Sequence, residues 1–268
     1  MRQDVRTPFE AALHHVRAAA YGPGGFVGQE SFMTAGEILA LAARAGVGPG
    51  VSVLDVGCGV AGPGGLLVGE LGCDYLGVDS SATALAIARE RVAELPCRFA
   101  LAHVPPLPGG SFDVVLLLEA MLAFEDKEPL AHAVAAALAP GGRFACTLEA
   151  GAPLTAAERA AMPDADTVWI TPFEELTGLL RQAGLSVTWQ QDVSAAHRDT
   201  ARALLDAYTA DDEAIAARIG ARALGDLLAA HRLWIEWLEE GRVRKLALVA
   251  ERAWTRLQPA TTKATSST

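Results

Sequence analysis

The glycine-rich stretch at residues 53–64 is the part of this sequence whose residue types and spacing most directly indicate chemistry. It reads VLDVGCGVAGPG, an apolar run that turns through several glycines into the start of a helix. Glycine adopts backbone angles that a Cβ forbids, and it lets a ligand approach the main chain closely. The pattern therefore predicts a buried strand that leads into a ligand-binding loop.

Two classes of ligand fit such a loop. The glycines at 57, 59 and 62 satisfy the dinucleotide pattern, and Asp79 stands where a ribose-binding carboxylate is expected. Asp55, however, lies two residues before the first glycine and points its carboxylate at the loop. Beside a pyrophosphate this charge would be repelled by about 4 kcal/mol at 4 Å, whereas an ammonium group would be attracted. Asp55 therefore favours a ligand with an amino-acid portion, and an NAD(P)-dependent oxidoreductase is the alternative.

Three further segments follow the loop in order and at fitting separations. They read LGVDS at 76–80, LPGGSFDVV at 107–115 and LAPGGRF at 138–144. Together with the glycine loop they resemble the class I S-adenosylmethionine-dependent methyltransferases. The resemblance covers roughly residues 51–144, with a looser likeness onward to 187.

The resemblance implies that S-adenosylmethionine is the cofactor. Asp79 would hold both ribose hydroxyls, as the acidic residue after the second strand does in the family. His103 stands where the family commonly has an Asp that accepts a hydrogen bond from adenine, and a neutral imidazole can accept one as well. The expected cofactor-binding residues are Asp55, Gly57, Cys58, Gly59, Asp79, Ser80, His103 and Glu119.

The loop departs from the usual family pattern at Ala61, which replaces the third glycine. That departure, with LEAM at 118–121, resembles a subgroup that methylates small molecules such as sarcosine, tocopherol precursors, sterols and natural products. The expected reaction is methyl transfer to a small organic acceptor of specialised metabolism, with oxygen, nitrogen and carbon all left open. Because His103 also departs from the pattern, a repurposed protein that binds the cofactor without methylating is a further alternative.

The acceptor is expected beyond the carboxyl ends of the strands, where ligands of open α/β sheets bind. Glu119 lies at that end of the fourth strand and is the candidate catalytic base or orienting residue. YGPGGFVG at 21–28 resembles a flexible cap that folds over the bound cofactor, and a helical insertion carries an aromatic stripe. The candidate substrate-contacting residues are Tyr21, Phe26, Met121, His231 and Trp234.

The elements that must position these residues alternate between β-rich runs and Ala-rich helical runs, as βαβ units do. Strands are predicted at 51–56, 75–78, 97–101, 112–118, 143–148, 185–190 and 243–250. Helices are predicted at 64–71, 82–95, 128–138 and from Pro172 to Ala183, with Thr171 as an N-cap. The predicted fold is α/β, a Rossmann-like, doubly wound and mostly parallel seven-stranded sheet with a helical lid insertion.

The predicted organisation has five parts. They are an N-terminal helical cap at 1–45, a cofactor-binding core at 46–193, a helical lid insertion at 194–240, the last core strand at 241–257 and a disordered tail at 258–268. The lid is expected because 47 residues are too many for a simple connection.

Composition narrows the possible partners. A formal net charge of −10 opposes binding to nucleic acid, and no stretch is apolar for long enough to span a membrane. The four cysteines form no CxxC pair, so reduced thiols and no metal site are expected. We therefore expect a cytoplasmic protein, a monomer or homodimer, whose partner is a small-molecule substrate.

Overall fold

A computed structural model describes residue 6 and residues 8–253 of the chain. Within that part, seven strands form one sheet. The strands are β1 Ser52–Val56, β2 Asp74–Asp79, β3 Cys97–Leu101, β4 Phe112–Leu117, β5 Leu138–Ala150, β6 Leu185–Asp192 and β7 Arg244–Arg252. The tail expected at 258–268 lies outside the described residues, as does the end of the part expected at 241–257.

The sheet has the strand order β3-β2-β1-β4-β5-β7-β6. The strands β1 to β5 pair in parallel, whereas β7 runs antiparallel to both β5 and β6. Parallel neighbours need long crossover connections, and helices supply them. The predicted Rossmann-like, mostly parallel seven-stranded sheet is confirmed.

Ten α-helices accompany the sheet in the described residues. They are α1 Pro8–Tyr21, α2 Ala35–Arg44, α3 Gly62–Leu71, α4 Ala82–Arg91, α5 Glu128–Ala137, α6 Ala156–Ala161, α7 Phe173–Gln182, α8 Ser194–Ala210, α9 Asp212–Ile219 and α10 Ala221–Glu239. Helices α2 and α3 pack on one face of the sheet, and α5 and α7 pack on the other.

The sequence of β4 shows why both faces are covered. Its Val115 and Leu117 pack into one core cluster, while Val114 and Leu116 pack into the other. Successive side chains of a strand point to opposite faces, so a continuous apolar run must be buried on both sides. The sheet is therefore the middle layer of three.

The start of β5 differs from the prediction. A strand from Arg143 was expected after a Pro-Gly-Gly helix stop, but β5 begins at Leu138 and passes through that triplet. Leu138 pairs with Phe112, and the register then shifts before Arg143 pairs with Val114. Gly141, with φ +77°, accommodates this irregularity.

The predicted N-cap of α7 is also wrong. Pro172 occupies the cap position, and α7 begins at Phe173. Thr171 instead forms an isolated bridge with Ala150, and its carbonyl accepts a hydrogen bond from the amide of Gly151. A backbone partner in the sheet took precedence over the local capping preference of a threonine.

Helices α8, α9 and α10 lie between β6 and β7 in the chain and pack together with α1. The hydrophobic cluster inside this helical layer consists of Leu13, Val16, Leu204, Tyr208, Ile215 and Leu224. Helix α2 packs on the sheet instead, so the two helices of the range 1–45 have different partners. No helix in the described ranges has the length and apolar character needed to cross a membrane.

Candidate active site

The glycine loop begins where β1 ends. Gly57 has φ +76° and Gly59 has φ +52°, angles that residues with a Cβ rarely adopt. The amides of Gly57 and Cys58 donate hydrogen bonds of 2.8 and 3.0 Å to the carbonyl of Val78, at the end of the neighbouring β2. The loop is therefore held open and fixed to the adjacent strand.

Asp79 ends β2 and closes the loop from the other side. Its carboxylate accepts hydrogen bonds of 2.9 Å from the amide of Gly59 and 2.8 Å from the amide of Ser81. Ser81 in turn caps α4 by accepting from Ala84. The predicted residue Ser80 lies between the two and is exposed.

Asp55 lies in the buried base of the same loop. It is 3% exposed, and its carboxylate accepts a 2.6 Å hydrogen bond from the hydroxyl of Tyr75. The tyrosine reaches it because residue 64 is glycine, where a Cβ would lie 2.4 Å from the Tyr75 hydroxyl oxygen. Burial raises the pKa of Asp55 to about 6. The hydrogen bond from Tyr75 lowers this pKa, and the negative charge of Asp79 raises it further. Among the described residues, no cation pairs with this carboxylate.

A cavity of about 150 Å³, here called the loop cavity, lies beside the glycine loop. Asp55, Gly57, Cys58 and Gly59 all contribute to its lining. Asp79 orders the loop from behind, and His103 is exposed in the loop after β3, outside the lining.

Residues 25–31, here called the covering segment, close the loop cavity from above. Gly28, Gln29, Glu30 and Ser31 line the cavity. A Cβ at residue 62 would lie 2.4 Å from the carbonyl oxygen of Val27, so the covering segment rests directly on Gly62. Gln29 holds the segment by donating to the carbonyls of Gly25 and Met33 at 2.9 and 2.8 Å.

A second cavity of about 220 Å³, here called the lid cavity, lies between the sheet and the helical layer. Of the predicted acceptor-contacting residues, Tyr21, His231 and Trp234 line it. Phe26 instead packs on His14 and Tyr21 with ring centroids 5.3 and 5.4 Å apart, outside the lining.

The expectation for Met121 needs correction. Met121 is 3% exposed and packs in the core of the sheet, while the next residue, Leu122, lines the lid cavity. The two belong to a short 3-10 helix at Met121–Ala123. Adjacent residues of such a turn point in different directions, which the sequence motif alone did not specify.

His231 lies in the aromatic part of the lid cavity. Its ring packs edge to face against Phe32 and Tyr208, at 5.6 and 5.3 Å between centroids. Its Nδ1 is 2.8 Å from the carbonyl of Leu227, so Nδ1 carries the proton in this arrangement and Nε2 presents a lone pair. Burial lowers the pKa of His231 to about 4, and the ring is neutral at pH 7.

The floor of the lid cavity holds three charged side chains, here called the Lys245 cluster: Glu119, Glu149 and Lys245. The ammonium of Lys245 donates to both carboxylates, and all three side chains are 5% exposed or less. Glu149 and Lys245 face each other across the antiparallel pair of β5 and β7. Glu119 reaches the same point from the end of β4, where its backbone has φ +54°.

The pKa values of the two carboxylates in the Lys245 cluster are shifted in opposite directions. Burial works to raise the pKa of Glu119, but the attraction of Lys245, assisted by His197, outweighs it and lowers the pKa to about 2. Burial and the charge of Glu119 raise the pKa of Glu149 in spite of the same lysine. Glu119 is therefore a poor proton acceptor, and Glu149 is the better one.

Sequence reasoning did not identify Lys245, His197 or Arg17 as part of the site. Lys245 directly precedes the apolar run of β7. A lysine at the start of a strand does not by itself indicate that it is buried or which carboxylates it contacts. His197 is 1% exposed and lies 3.8 Å from Glu119 and 3.7 Å from Glu37. Arg17 pairs with Glu30 and donates a 2.9 Å hydrogen bond to the hydroxyl of Tyr208.

The lining of the loop cavity suits the amino-acid portion of the cofactor implied by the sequence. A buried carboxylate without a counter-charge, Asp55, suits the ammonium of an amino-acid moiety. Open space beside Gly59, where a Cβ would meet nothing within 4 Å, leaves the backbone accessible. No group of three or more His, Cys, Asp or Glu side chains within the described ranges is arranged to hold a metal ion.

Comparisons with known proteins agree with this geometry. A family model described as a methyltransferase domain matches residues 54–146. The chain is 31% identical over 183 residues to methyltransferase GfsG of Streptomyces halstedii, covering 62% of this chain and 63% of that relative, which is less than two thirds of its length. It is 30% identical over 174 residues to the ubiquinone biosynthesis O-methyltransferase of Ruegeria pomeroyi, covering 54% of this chain and 68% of that relative.

Among solved structures, phosphoethanolamine N-methyltransferase 2 of Haemonchus contortus, in complex with phosphomonomethylethanolamine and S-adenosylhomocysteine, has a similar fold. The TM-score is 0.74 at 18% identity, over 94% of this chain and 60% of that chain. At this identity the likeness concerns the fold alone.

Proposed function

The chain belongs to the class I S-adenosylmethionine-dependent methyltransferases, and we propose that it transfers a methyl group to a small organic acceptor. The amino-acid portion of the cofactor would lie in the loop cavity and the acceptor in the lid cavity. When bound, the cofactor supplies an activated methyl group on a sulfonium. What the protein contributes is binding, alignment and the exclusion of water.

The observation that carries the proposal is the shared lining of the two cavities. Gln29, Glu30, Ser31 and Glu119 line both. A donor in one cavity and an acceptor in the other would therefore lie side by side. Well-aligned reactants gain up to about 7–11 kcal/mol relative to reactants that must find each other in solution.

The residues around the loop cavity have distinct parts in this proposal. Asp55 would face the ammonium of the cofactor, the backbone of Gly57 and Gly59 would approach its amino-acid portion, and Asp79 would accept from the ribose hydroxyls. Adenine recognition by His103, and contacts from Cys58 and Ser80, remain predictions that rest on the family resemblance.

The covering segment would exclude water from the reaction. It closes the loop cavity at Gly62 and contributes Glu30, which Arg17 holds through a two-point ion pair. Arg17 belongs to α1, so the helical layer and the covering segment are linked. Removing water strengthens the electrostatic interactions within a site.

We also propose that the protein acts in the cytoplasm on a molecule of specialised metabolism, as a monomer or homodimer. A lid cavity of about 220 Å³ suits a small molecule, and the net charge of −10 opposes a nucleic-acid acceptor. The four cysteines are free, and three of them are buried, which fits a reducing compartment. Light scattering after size exclusion measures the oligomeric state.

Calorimetry with S-adenosylhomocysteine tests the proposed cofactor site. The variant Asp79→Ala should bind about tenfold or more weakly, because a hydrogen bond to a charged group contributes about 1.5–3 kcal/mol. Asp74→Ala is the matched control, since Asp74 lies at the opposite end of β2 and pairs with Arg98 at the surface. Equal binding by Asp79→Ala and the wild type would contradict the assignment.

A further inference from the structure

We infer that the acceptor is a neutral molecule with a hydroxyl group, and that Glu149 takes the proton of that hydroxyl as its oxygen is methylated. The inference rests on the proposed function and specifies its substrate class. In the step, a bond forms between the methyl carbon and the acceptor oxygen while the bond from that carbon to sulfur breaks. The sulfur keeps the electron pair, and the hydroxyl proton moves to the carboxylate of Glu149.

Two buried carboxylate oxygens in the lining of the lid cavity are available to a ligand. Oε2 of Glu149 and Oε1 of Glu119 are buried and have no hydrogen-bond partner among the described residues. Both side chains line the lid cavity. Buried carboxylate oxygens without donors are costly, so a ligand of this cavity should bring hydrogen-bond donors.

The cations that line the lid cavity already have partners. Of the described lining residues, Arg17 and Lys245 are cationic, and each is already paired, with Glu30 and with the two carboxylates of the Lys245 cluster respectively. A phosphate or carboxylate on the acceptor would find no free cation and would face those same anions. Bringing such a charge into a buried site without a partner is strongly unfavourable.

The charge balance of the lid cavity favours a hydroxyl over a protonated amine. The described charges that line the cavity are three carboxylates and two cations, one negative charge in excess. Glu119 also lines the loop cavity, where the proposed cofactor would bring its positive sulfonium. That charge balances the excess, so a second cation would be disfavoured and a neutral donor favoured. A protonated amine also has no lone pair with which to attack.

Glu119 and Glu149 differ in the contacts that their carboxylates make. Glu119 is held by Lys245, lies 3.8 Å from His197 and has the amide of Phe32 at 3.5 Å. Glu149 has one side-chain hydrogen-bond partner in the described part of the chain, Lys245, at its Oε1, which leaves Oε2 for a ligand. Glu119 thus keeps its charge, while Glu149 is able to accept a proton.

Other charged groups near Glu149 do not change this assignment. Lys127, at the start of α5, interacts with Glu149 at longer range and donates to the carbonyls of Phe124 and Trp169 at 2.7 and 2.8 Å. Across the cavity, Glu30 is held by Arg17, and His231 is neutral. Lys245 therefore remains the counter-charge of Glu119 and Glu149 before and after proton transfer.

Binding of small ring compounds tests the acceptor class. A cavity of about 150 Å³ accommodates benzene, so one of about 220 Å³ should hold a substituted ring. We would titrate the protein, saturated with sinefungin, a non-reactive cofactor analogue whose amine carries the positive charge of the sulfonium, with catechol, 1,2-dimethoxybenzene, phenyl phosphate and benzylamine. Catechol should bind about tenfold or more tightly than each of the other three.

Each other outcome overturns the inference. Equal binding of 1,2-dimethoxybenzene would show that donated hydrogen bonds do not matter. Tighter binding of phenyl phosphate or benzylamine would show that the acceptor is charged. Failure of catechol to bind would also contradict the inference. Binding of sinefungin in the same experiment shows whether the proposed cofactor site is intact.

The variant Glu149→Gln tests the proton acceptor. With catechol and S-adenosylmethionine, it should form the monomethyl ether about 100-fold more slowly than the wild type at pH 7, the scale of general-base catalysis. Its rate should rise with pH and approach that of the wild type near pH 10, where a phenolic hydroxyl ionises by itself. A merely structural defect would not produce this convergence.

Glu251→Gln is the matched control, because Glu251 lies at the other end of the β5 and β7 ladder and is partly exposed opposite Arg143. It should retain the wild-type rate at all pH values. A wild-type rate for Glu149→Gln at pH 7 contradicts the inference, as does catechol that binds the wild-type protein but yields no ether.

Discussion

The hydroxyl of Tyr75 donates a 2.6 Å hydrogen bond to the carboxylate of Asp55 in the buried base of the loop cavity. This pair joins β2 to β1, and no cation from the described part of the chain neutralises Asp55. Burial raises the pKa of this carboxyl to about 6. The charge therefore destabilises the empty protein and is available to stabilise a bound ammonium.

Asp55→Asn should make the empty protein more stable at pH 7. The folded pKa of about 6 lies above the reference value of 3.8, so stability falls as the pH rises from about 4 to 6. Two pKa units correspond to about 3 kcal/mol, which is the upper bound of the expected gain. Urea unfolding measures it, and the same variant should lose most of its affinity for S-adenosylmethionine. A less stable variant that still binds the cofactor would contradict this account of Asp55.

Cofactor binding should release protons near pH 6. An ammonium beside Asp55 lowers the pKa of that carboxyl, so the complex holds fewer protons than the empty protein. The affinity for S-adenosylmethionine should therefore fall as the pH drops below about 6. Calorimetry in buffers with different ionisation enthalpies counts the released protons. If the wild type and Asp55→Asn release the same number, the protons come from a group other than Asp55.

Gly62→Ala should weaken cofactor binding by about tenfold or more. Its new Cβ would meet the carbonyl oxygen of Val27 at 2.4 Å and displace the covering segment. Gly69→Ala is the control in the same helix, where a Cβ meets nothing within 4 Å. That change should leave binding unaltered and stabilise α3 by about 0.5–1 kcal/mol. Equal affinities for both variants would show that the covering segment does not act on the cofactor.

Lys245→Met should destabilise the protein by about 3–5 kcal/mol, because two buried carboxylates would lose their shared cation. Their folded pKa values would then lie above the unfolded ones, so stability should recover as the pH is lowered toward 4. Arg244→Met is the neighbouring control, since its ion pair with Asp192 is about half exposed and contributes at most about 1 kcal/mol. Similar losses for both variants in urea unfolding would argue against a buried ionic cluster.

The loop cavity was predictable because its residues are close in sequence or lie at the carboxyl ends of neighbouring parallel strands. Asp55, Gly57 and Gly59 follow one another along β1 and its turn, and Asp79 ends the adjacent strand. The hydrophobic period of each strand fixes where it ends, and the carboxyl ends of parallel strands meet at one edge.

The Lys245 cluster was not predictable in the same way. Glu149 and Lys245 meet because β7 enters the sheet in the reverse direction, and 96 positions separate them. That register depends on the whole tertiary structure. Similarly, Met121 lies within a recognisable motif, yet its side chain points into the core.

The most direct test of the central claim is a parallel titration of the wild-type protein with S-adenosylmethionine and with NADH. Asp55 at the base of the loop cavity predicts micromolar binding of the sulfonium compound and no detectable binding of the dinucleotide. Binding of NADH, with no heat from S-adenosylmethionine, would contradict the account.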